Sequence, residues 1–93
     1  MIGLSKGQKI FDRFSVHSKM GSGVLYLLDT GISLEVSGKG IILELDYTET
    51  FLVKEIKKET LLISWNEGKD TFDVRLKTKN ASLVAKKANE YKS

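Results

Sequence analysis

The 93-residue chain contains no cysteine and no proline, and it has one histidine and one glutamine. Without cysteine there is no disulfide framework, iron–sulfur site, thiolate zinc site or cysteine nucleophile. The single histidine, His17, cannot build a metal site from several imidazoles or a relay between two histidines. We therefore expect no metal, no cofactor and a reducing compartment.

Apolar runs long enough to cross a bilayer are also absent, and residues following Met1 do not form the apolar core of a secretion signal. The hydrophobic fraction is 41% and the charged fraction 29%, which are values typical of globular chains rather than disordered ones. We predict a single domain over residues 1–93 with a cytoplasmic location, peripheral to a membrane if it binds lipid.

Charge is unevenly distributed along the chain, although the net charge is a modest +3. Residues 1–20 hold four lysine or arginine residues and one aspartate, and residues 74–93 hold six against one glutamate. The stretch between them, residues 21–73, has five lysines and ten carboxylates. A basic surface therefore requires the two ends of the chain to meet in space.

Glycine divides the chain into short apolar segments. Four glycine-containing clusters separate these segments, and we interpret them as hairpin turns, where glycine allows tight reversal: Gly21 with Gly23, Asp29–Gly31, Ser37–Gly40 and Asn66–Gly68.

Between the turns, apolar residues alternate with period two, which is the pattern of strands with one buried face. It is clearest in Ile32–Val36, Leu61–Trp65 and Phe72–Leu76. Four further segments complete a prediction of seven strands within about residues 9–77: Lys9–His17, Val24–Leu28, Ile41–Tyr47 and Thr50–Ile56.

The period changes near the C-terminus, where apolar residues recur at intervals of three and four: Ala81, Val84, Ala88 and Tyr91. This spacing predicts a helix over about residues 80–92, with Asn80 as its N-cap. A helix this short needs tertiary contacts, so its apolar stripe should pack against the sheet.

One segment leaves a second interpretation open. Leu43–Leu62 contains helix-forming residues between Lys54 and Glu59, so part of it is compatible with a helix. The β-branched and aromatic residues around Phe51 favour strands instead.

Catalytic motifs are missing. His17 has no nucleophile elbow or triad pattern around it, and neither Gly21–Gly23 nor Gly38–Gly40 continues into a phosphate-binding fingerprint. Trp65 shares the parity of Leu61 and Ile63, which favours a core position over a stacking platform. We expect a protein that is not an enzyme.

Two regions together resemble the pleckstrin-homology-like (PH-like) superfamily, especially its GRAM and bacterial branches. They are the strand pair in Gly23–Glu35, with its Gly-x-Leu-Tyr-Leu pattern, and the closing strand and helix from Asp70 to Tyr91. The order of seven strands and one helix extends this resemblance over nearly the whole chain. It implies a mainly β fold: a seven-stranded, two-sheet, bent antiparallel barrel capped by the C-terminal helix.

The resemblance also implies a ligand mouth formed by the first, third and sixth hairpins. Each contributes one lysine here, namely Lys19, Lys39 and Lys69, and His17 lies beside the first hairpin. Three ammonium groups at one mouth would favour an anion such as a phospholipid headgroup. However, Val24–Leu28 offers none of the basic residues found in the second strand of phosphoinositide-binding members.

We therefore predict a non-catalytic binding module whose first candidate partner is a protein, at a strand edge or in the groove beside the helix. Anionic lipid is the second candidate and nucleic acid the third, because the middle of the chain is acidic. Pairing of edge strands would also allow a homodimer.

Overall fold

The computed structural model describes residues 9–92, which form seven strands followed by one helix. In chain order these are β1 Ile10–Ser18, β2 Gly21–Leu28, β3 Gly31–Val36, β4 Gly40–Asp46, β5 Phe51–Lys57, β6 Thr60–Glu67, β7 Asp70–Lys77 and α1 Ala81–Lys92. All seven predicted strands and the predicted helix are present. The mainly β fold with a C-terminal helix is thus confirmed, while the predicted residues before Lys9 and after Lys92 lie outside the described range.

The strands form one antiparallel sheet in the order β4-β3-β2-β1-β7-β6-β5. Sequence neighbours pair as hairpins except β4 and β5, which are the two edges of the sheet and are not paired with each other. β1 joins the β4-β3-β2 part of the sheet to the β7-β6-β5 part. It pairs with β2 along its length and with β7 at one position, where His17 is opposite Lys77. The sheet is therefore open, and the predicted two-sheet barrel is not confirmed.

The segment with two interpretations, Leu43–Leu62, contains no helix. It comprises the end of β4, all of β5 and the start of β6. Phe51 and Val53 point into the core with 6% and 1% of their surface exposed, opposite Trp65 and Ile63 of β6. Burial of alternate side chains on a strand outweighs the helix propensity of the residues between them.

The alternating residues line one core, as predicted. Ile32, Leu34 and Val36 are each 1% exposed, and Leu61 and Ile63 are fully buried. The aromatic residues at the end of the β6–β7 hairpin depart from this pattern. Trp65 is half-buried against the core and stacks on Phe72, whose ring centroid lies 6.1 Å away and which is 42% exposed.

Helix α1 packs its apolar stripe against β5 and β6 and buries Ala81, Val84, Ala85 and Ala88. The main chain of Asn80 begins the helix, since its carbonyl accepts a hydrogen bond from the Val84 amide. Farther along, Asn89 Nδ2 donates to the carbonyl of Val53, and Lys92 Nζ donates to the carbonyl of Phe51. These side chains cover part of the outer edge of β5. No helix in the described range is long and apolar enough to span a membrane.

Two glycines that we interpreted as turn residues have another role. Gly23 and Gly31 lie within strands, where a Cβ atom on either would collide with the main chain of the neighbouring strand. For Gly31, Cα of Asp46 would lie 2.9 Å from that Cβ. Close approach of strands therefore requires glycine here, whereas Gly38 and Gly68 occupy turns with φ of 81° and 62°.

Asp12 of β1 connects the start of the sheet to the end of the helix. Its carboxylate accepts a 2.6 Å hydrogen bond from the Tyr91 hydroxyl and forms a 3.2 Å salt bridge with Lys87 Nζ. Phe11 packs against the Tyr91 ring with centroids 5.0 Å apart. The Tyr91 hydrogen bond lowers the pKa of Asp12 most, followed by the Lys87 contacts, which together outweigh the opposing effect of burial.

The contacts of Asp12 predict how the stability of the fold depends on pH. Because the folded-state pKa of Asp12 lies below its unfolded value, ionised Asp12 stabilises the fold above about pH 4. That contribution is lost as pH falls through the folded pKa. Asp12→Asn should cost about 1 kcal/mol at pH 7 and flatten the acid limb of the stability curve. Thermal unfolding from pH 7 to pH 2 measures both effects, with Asp73→Asn as the matched control; equal pH profiles for the two variants would contradict the assignment.

Candidate functional site

A groove opens where β1 and β7 separate beyond the pairing of His17 with Lys77. It has a volume of about 470 Å³. We call it the β1–β7 groove, and its lining consists of His17, Ser18, Lys19, Ile56, Lys57, Thr60, Arg75, Leu76 and Lys77. Residues from β1, β5, β6 and β7 therefore meet at one concave surface.

Strand register explains why so many cations lie here. Thr60 of β6 is opposite both Lys57 and Lys77, and Lys77 is opposite His17. Residues directly opposite each other point to the same face of a sheet. These four residues therefore form a row across β5, β6, β7 and β1. Arg75 precedes Lys77 by two residues and lies on the same face. The alternation that buries Leu76 and half-buries Val74 thus turns Arg75 and Lys77 outward.

The groove is strongly cationic. Its lining includes four lysine or arginine side chains and a histidine but no carboxylate. A neighbouring cavity of about 280 Å³ shares His17, Lys57, Thr60 and Lys77, and adds Lys58, Lys79 and one carboxylate residue, Glu59. Within residues 9–92, none of the groove lysines and arginines forms a salt bridge. Several like charges held together without neutralisation favour an anionic partner.

Glu59 lies in the turn between β5 and β6 in an unusual backbone conformation. Its φ of 59° is in the left-handed region, and its carbonyl accepts a hydrogen bond from the Thr78 amide. A residue with a Cβ atom pays about 1–2 kcal/mol for this conformation. The hydrogen bond from Thr78 holds this turn, which connects the strands that supply Lys57 and Thr60.

Replacing this residue with glycine should therefore stabilise the protein. We expect Glu59→Gly to raise the free energy of unfolding by about 0.5–1 kcal/mol, since relief of the left-handed conformation exceeds the added entropy of the unfolded chain. Urea denaturation measures the change, and Glu59→Ala, which retains the Cβ atom, should show no such gain. A Glu59→Gly protein less stable than wild type would contradict the expectation.

The structure places the four predicted ligand-binding residues in three different positions. His17 and Lys19 both line the β1–β7 groove. Lys39 is in the turn between β3 and β4, and Lys69 is in the turn between β6 and β7; neither contributes to the groove. A hydrogen bond from the Ser37 amide to the Ser22 carbonyl places the β3–β4 turn near the β1–β2 turn. Convergence of all three lysines on one mouth stays a prediction.

Sequence reasoning missed Lys57, Arg75 and Lys77 as candidates. Their outward orientation was available from the period of β7 and from the pattern of β5. The sequence did not show that they lie close to Lys19, because that proximity depends on the contact between β1 and β7. The charge distribution along the sequence indicated only that a basic surface requires the two ends of the chain to meet. The pairing of His17 with Lys77 shows that they do meet.

Other polar clusters support the fold. Next to the β4–β5 loop, Asp46 accepts hydrogen bonds from the amide and hydroxyl of Thr48, which lower its pKa, and Glu49 Oε2 accepts one from the Asp46 amide. Burial raises the pKa of Tyr47 to about 12, and its hydroxyl donates to the carbonyl of Leu28. Over residues 9–92, no three His, Asp or Glu side chains are grouped to hold a metal ion.

His17, which lines the β1–β7 groove, contacts Ser22. Its Nδ1 lies 3.0 Å from Ser22 Oγ, which leaves the other ring nitrogen without a carboxylate partner among the described residues. A serine–histidine pair that lacks an orienting carboxylate does not form a triad. No protein-family model matches this chain, and a search of curated proteins also found no match.

Proposed function

We propose that this protein is a non-catalytic, PH-like binding module that engages a protein partner through an acidic segment seated in the β1–β7 groove. The observation that carries the proposal is the groove lining: His17, Lys19, Lys57, Arg75 and Lys77 surround it without a carboxylate. An acidic segment would supply the missing countercharges, and interfaces use such complementarity to select partners and speed association.

The shape of the groove favours a polypeptide over a compact headgroup. Its walls are largely strands, and Ile56, which is 38% exposed, lines it together with the cations. A peptide provides both carboxylates and apolar side chains at regular intervals, so it can use charged and apolar parts of the lining at once. A headgroup would use the cations alone.

A second candidate, an anionic membrane surface, is favoured by one observation. Met20, in the β1–β2 turn next to Lys19, is 43% exposed. An apolar tip beside basic residues is an arrangement that inserts shallowly into an anionic bilayer.

Binding of simple probes tests the proposal. The first probe is a fluorescent nonapeptide of alternating glutamate and valine, and its control has lysine in place of glutamate. We expect binding of the acidic peptide that weakens with added salt, and no binding of the lysine peptide. If the protein floats with phosphatidylserine vesicles but does not bind the peptide, the partner is an anionic membrane and not a protein. Binding of duplex RNA alone would replace the protein partner with nucleic acid, and binding of none of these probes would overturn the proposal.

A further inference from the structure

β7 has a free side in the middle of the sheet. β6 pairs with it continuously from Asp70 to Lys77, but β1 pairs with it at Lys77 alone. In the described part of the chain, no strand lies beside the preceding residues of β7 on the β1 side. The β1–β7 groove begins at this point, where the ladder between β1 and β7 stops.

Along β7, the backbone N–H and C=O groups of successive residues point alternately toward β6 and toward the free side. The known hydrogen bonds identify which residues point to the free side. The Thr78 amide donates to the Glu59 carbonyl, next to the pairing of Lys77 with Thr60. In an antiparallel ladder, every second residue points its N–H and C=O to the same neighbour. Leu76, Val74 and Phe72 therefore bond to β6, whereas the N–H and C=O groups of Arg75 and Asp73 face the side that β1 leaves free.

The two outer edges of the sheet are less suited to a new strand. On β5, side chains of α1 bond to the carbonyls of Phe51 and Val53. On β4, Glu49 bonds to both the amide and the carbonyl of Asp46, and the register with β3 shifts near Leu34. Capped groups and bulges are the usual means by which proteins prevent strand addition. The β6–β7 ladder has no such shift, and the chain has no proline to block β7.

We infer that the partner's acidic segment adds to the free side of β7 as an antiparallel strand, continuing the ladder that β1 begins at Lys77. This inference rests on the proposed function and specifies the bound conformation. In such a pairing, a partner residue opposite Arg75 points its side chain to the same face as Arg75. An acidic residue there meets Arg75, and an acidic residue two positions toward β1 lies beside the pair of His17 with Lys77; the residue two positions the other way lies opposite Asp73.

Backbone methylation of the probe peptide tests this geometry. In an antiparallel addition with the glutamates facing Arg75, the glutamate N–H groups point toward β7 and the valine N–H groups point away. One peptide is N-methylated at its three central glutamates and another at three valines. We expect the first to lose at least tenfold in affinity and the second to bind within about threefold of the unmodified peptide. Hydrogen exchange should also slow at the Arg75 and Asp73 amides when the unmodified peptide binds.

The outcomes separate this inference from the proposed function. If the unmodified peptide binds with salt dependence and both methylated peptides bind equally well, strand addition is wrong while the acidic-partner proposal stands. A loss confined to the valine-methylated peptide would overturn an antiparallel strand with glutamates opposite Arg75, because it requires either a parallel strand or a register shifted by one residue. If the unmodified peptide does not bind at all, the proposed function itself has failed.

Discussion

The double variant Lys57→Glu/Arg75→Glu should bind the acidic nonapeptide about 30-fold more weakly than wild type. An exposed ion pair contributes about 0.2–1 kcal/mol, and reversal adds repulsion of similar size to the lost attraction at each position. The sum is about 2 kcal/mol, which corresponds to a factor of about 30 in the dissociation constant. Fluorescence anisotropy at low salt measures it, and the difference between variant and wild type should shrink as salt is added.

The matched control is Lys39→Glu/Lys69→Glu, which changes the net charge by the same amount at residues outside the groove. It should bind within about threefold of wild type, because screening weakens charges that are distant from the peptide. The comparison also tests the mouth predicted from the PH-like resemblance. If the control loses affinity and the groove variant does not, the ligand binds between the turns and the β1–β7 groove is not the site.

Gly31→Ala should cause a large loss of stability. The added Cβ would overlap the carbonyl oxygen of Leu45 and lie 2.9 Å from Cα of Asp46, both in the backbone of β4. Backbone that is hydrogen-bonded in a ladder cannot rotate away as a flexible side chain can, so β4 has to shift. Overpacking of this kind costs about 3 kcal/mol, a large part of the about 5–14 kcal/mol expected for a domain of this size.

Differential scanning calorimetry measures this loss as a fall in Tm of at least about 12 °C. Gly38→Ala is the control, because a Cβ at Gly38 has no atom within 4 Å and only its φ of 81° opposes substitution. We expect Gly38→Ala to cost about 1–2 kcal/mol, less than Gly31→Ala. A Gly31→Ala protein as stable as wild type would contradict the close packing of β3 against β4.

Periodicity predicted most of the fold because most elements have one buried face, although β2 and β3 are buried on both faces over part of their length. Ile32, Leu34 and Val36 repeat every two residues and are buried, and Val84 and Ala88 of the helix are 0% and 1% exposed. The glycines show the limit of this reasoning. A local pattern does not distinguish a glycine required by positive φ, such as Gly38, from one required by a neighbouring strand, such as Gly31.

The candidate site was less predictable than the fold. Its two predicted members, His17 and Lys19, come from one end of the chain, where they adjoin a hairpin. Arg75 and Lys77 come from the other end, about sixty residues away. Alternation with period two predicts the face on which a residue lies, but it does not predict the residue beside it on the neighbouring strand. The asymmetry of charge indicated that the ends should meet, but the residues that meet depend on where β1 stops pairing with β7.

The most direct test of an anion-binding β1–β7 groove is a titration of the isotopically labelled protein with the acidic nonapeptide, followed by amide chemical shifts. Shifts should concentrate at His17, Lys19, Lys57, Arg75 and Lys77 and be small at Lys39 and Lys69. Shifts centred on the β3–β4 and β6–β7 turns, with the groove amides unchanged, would contradict that assignment.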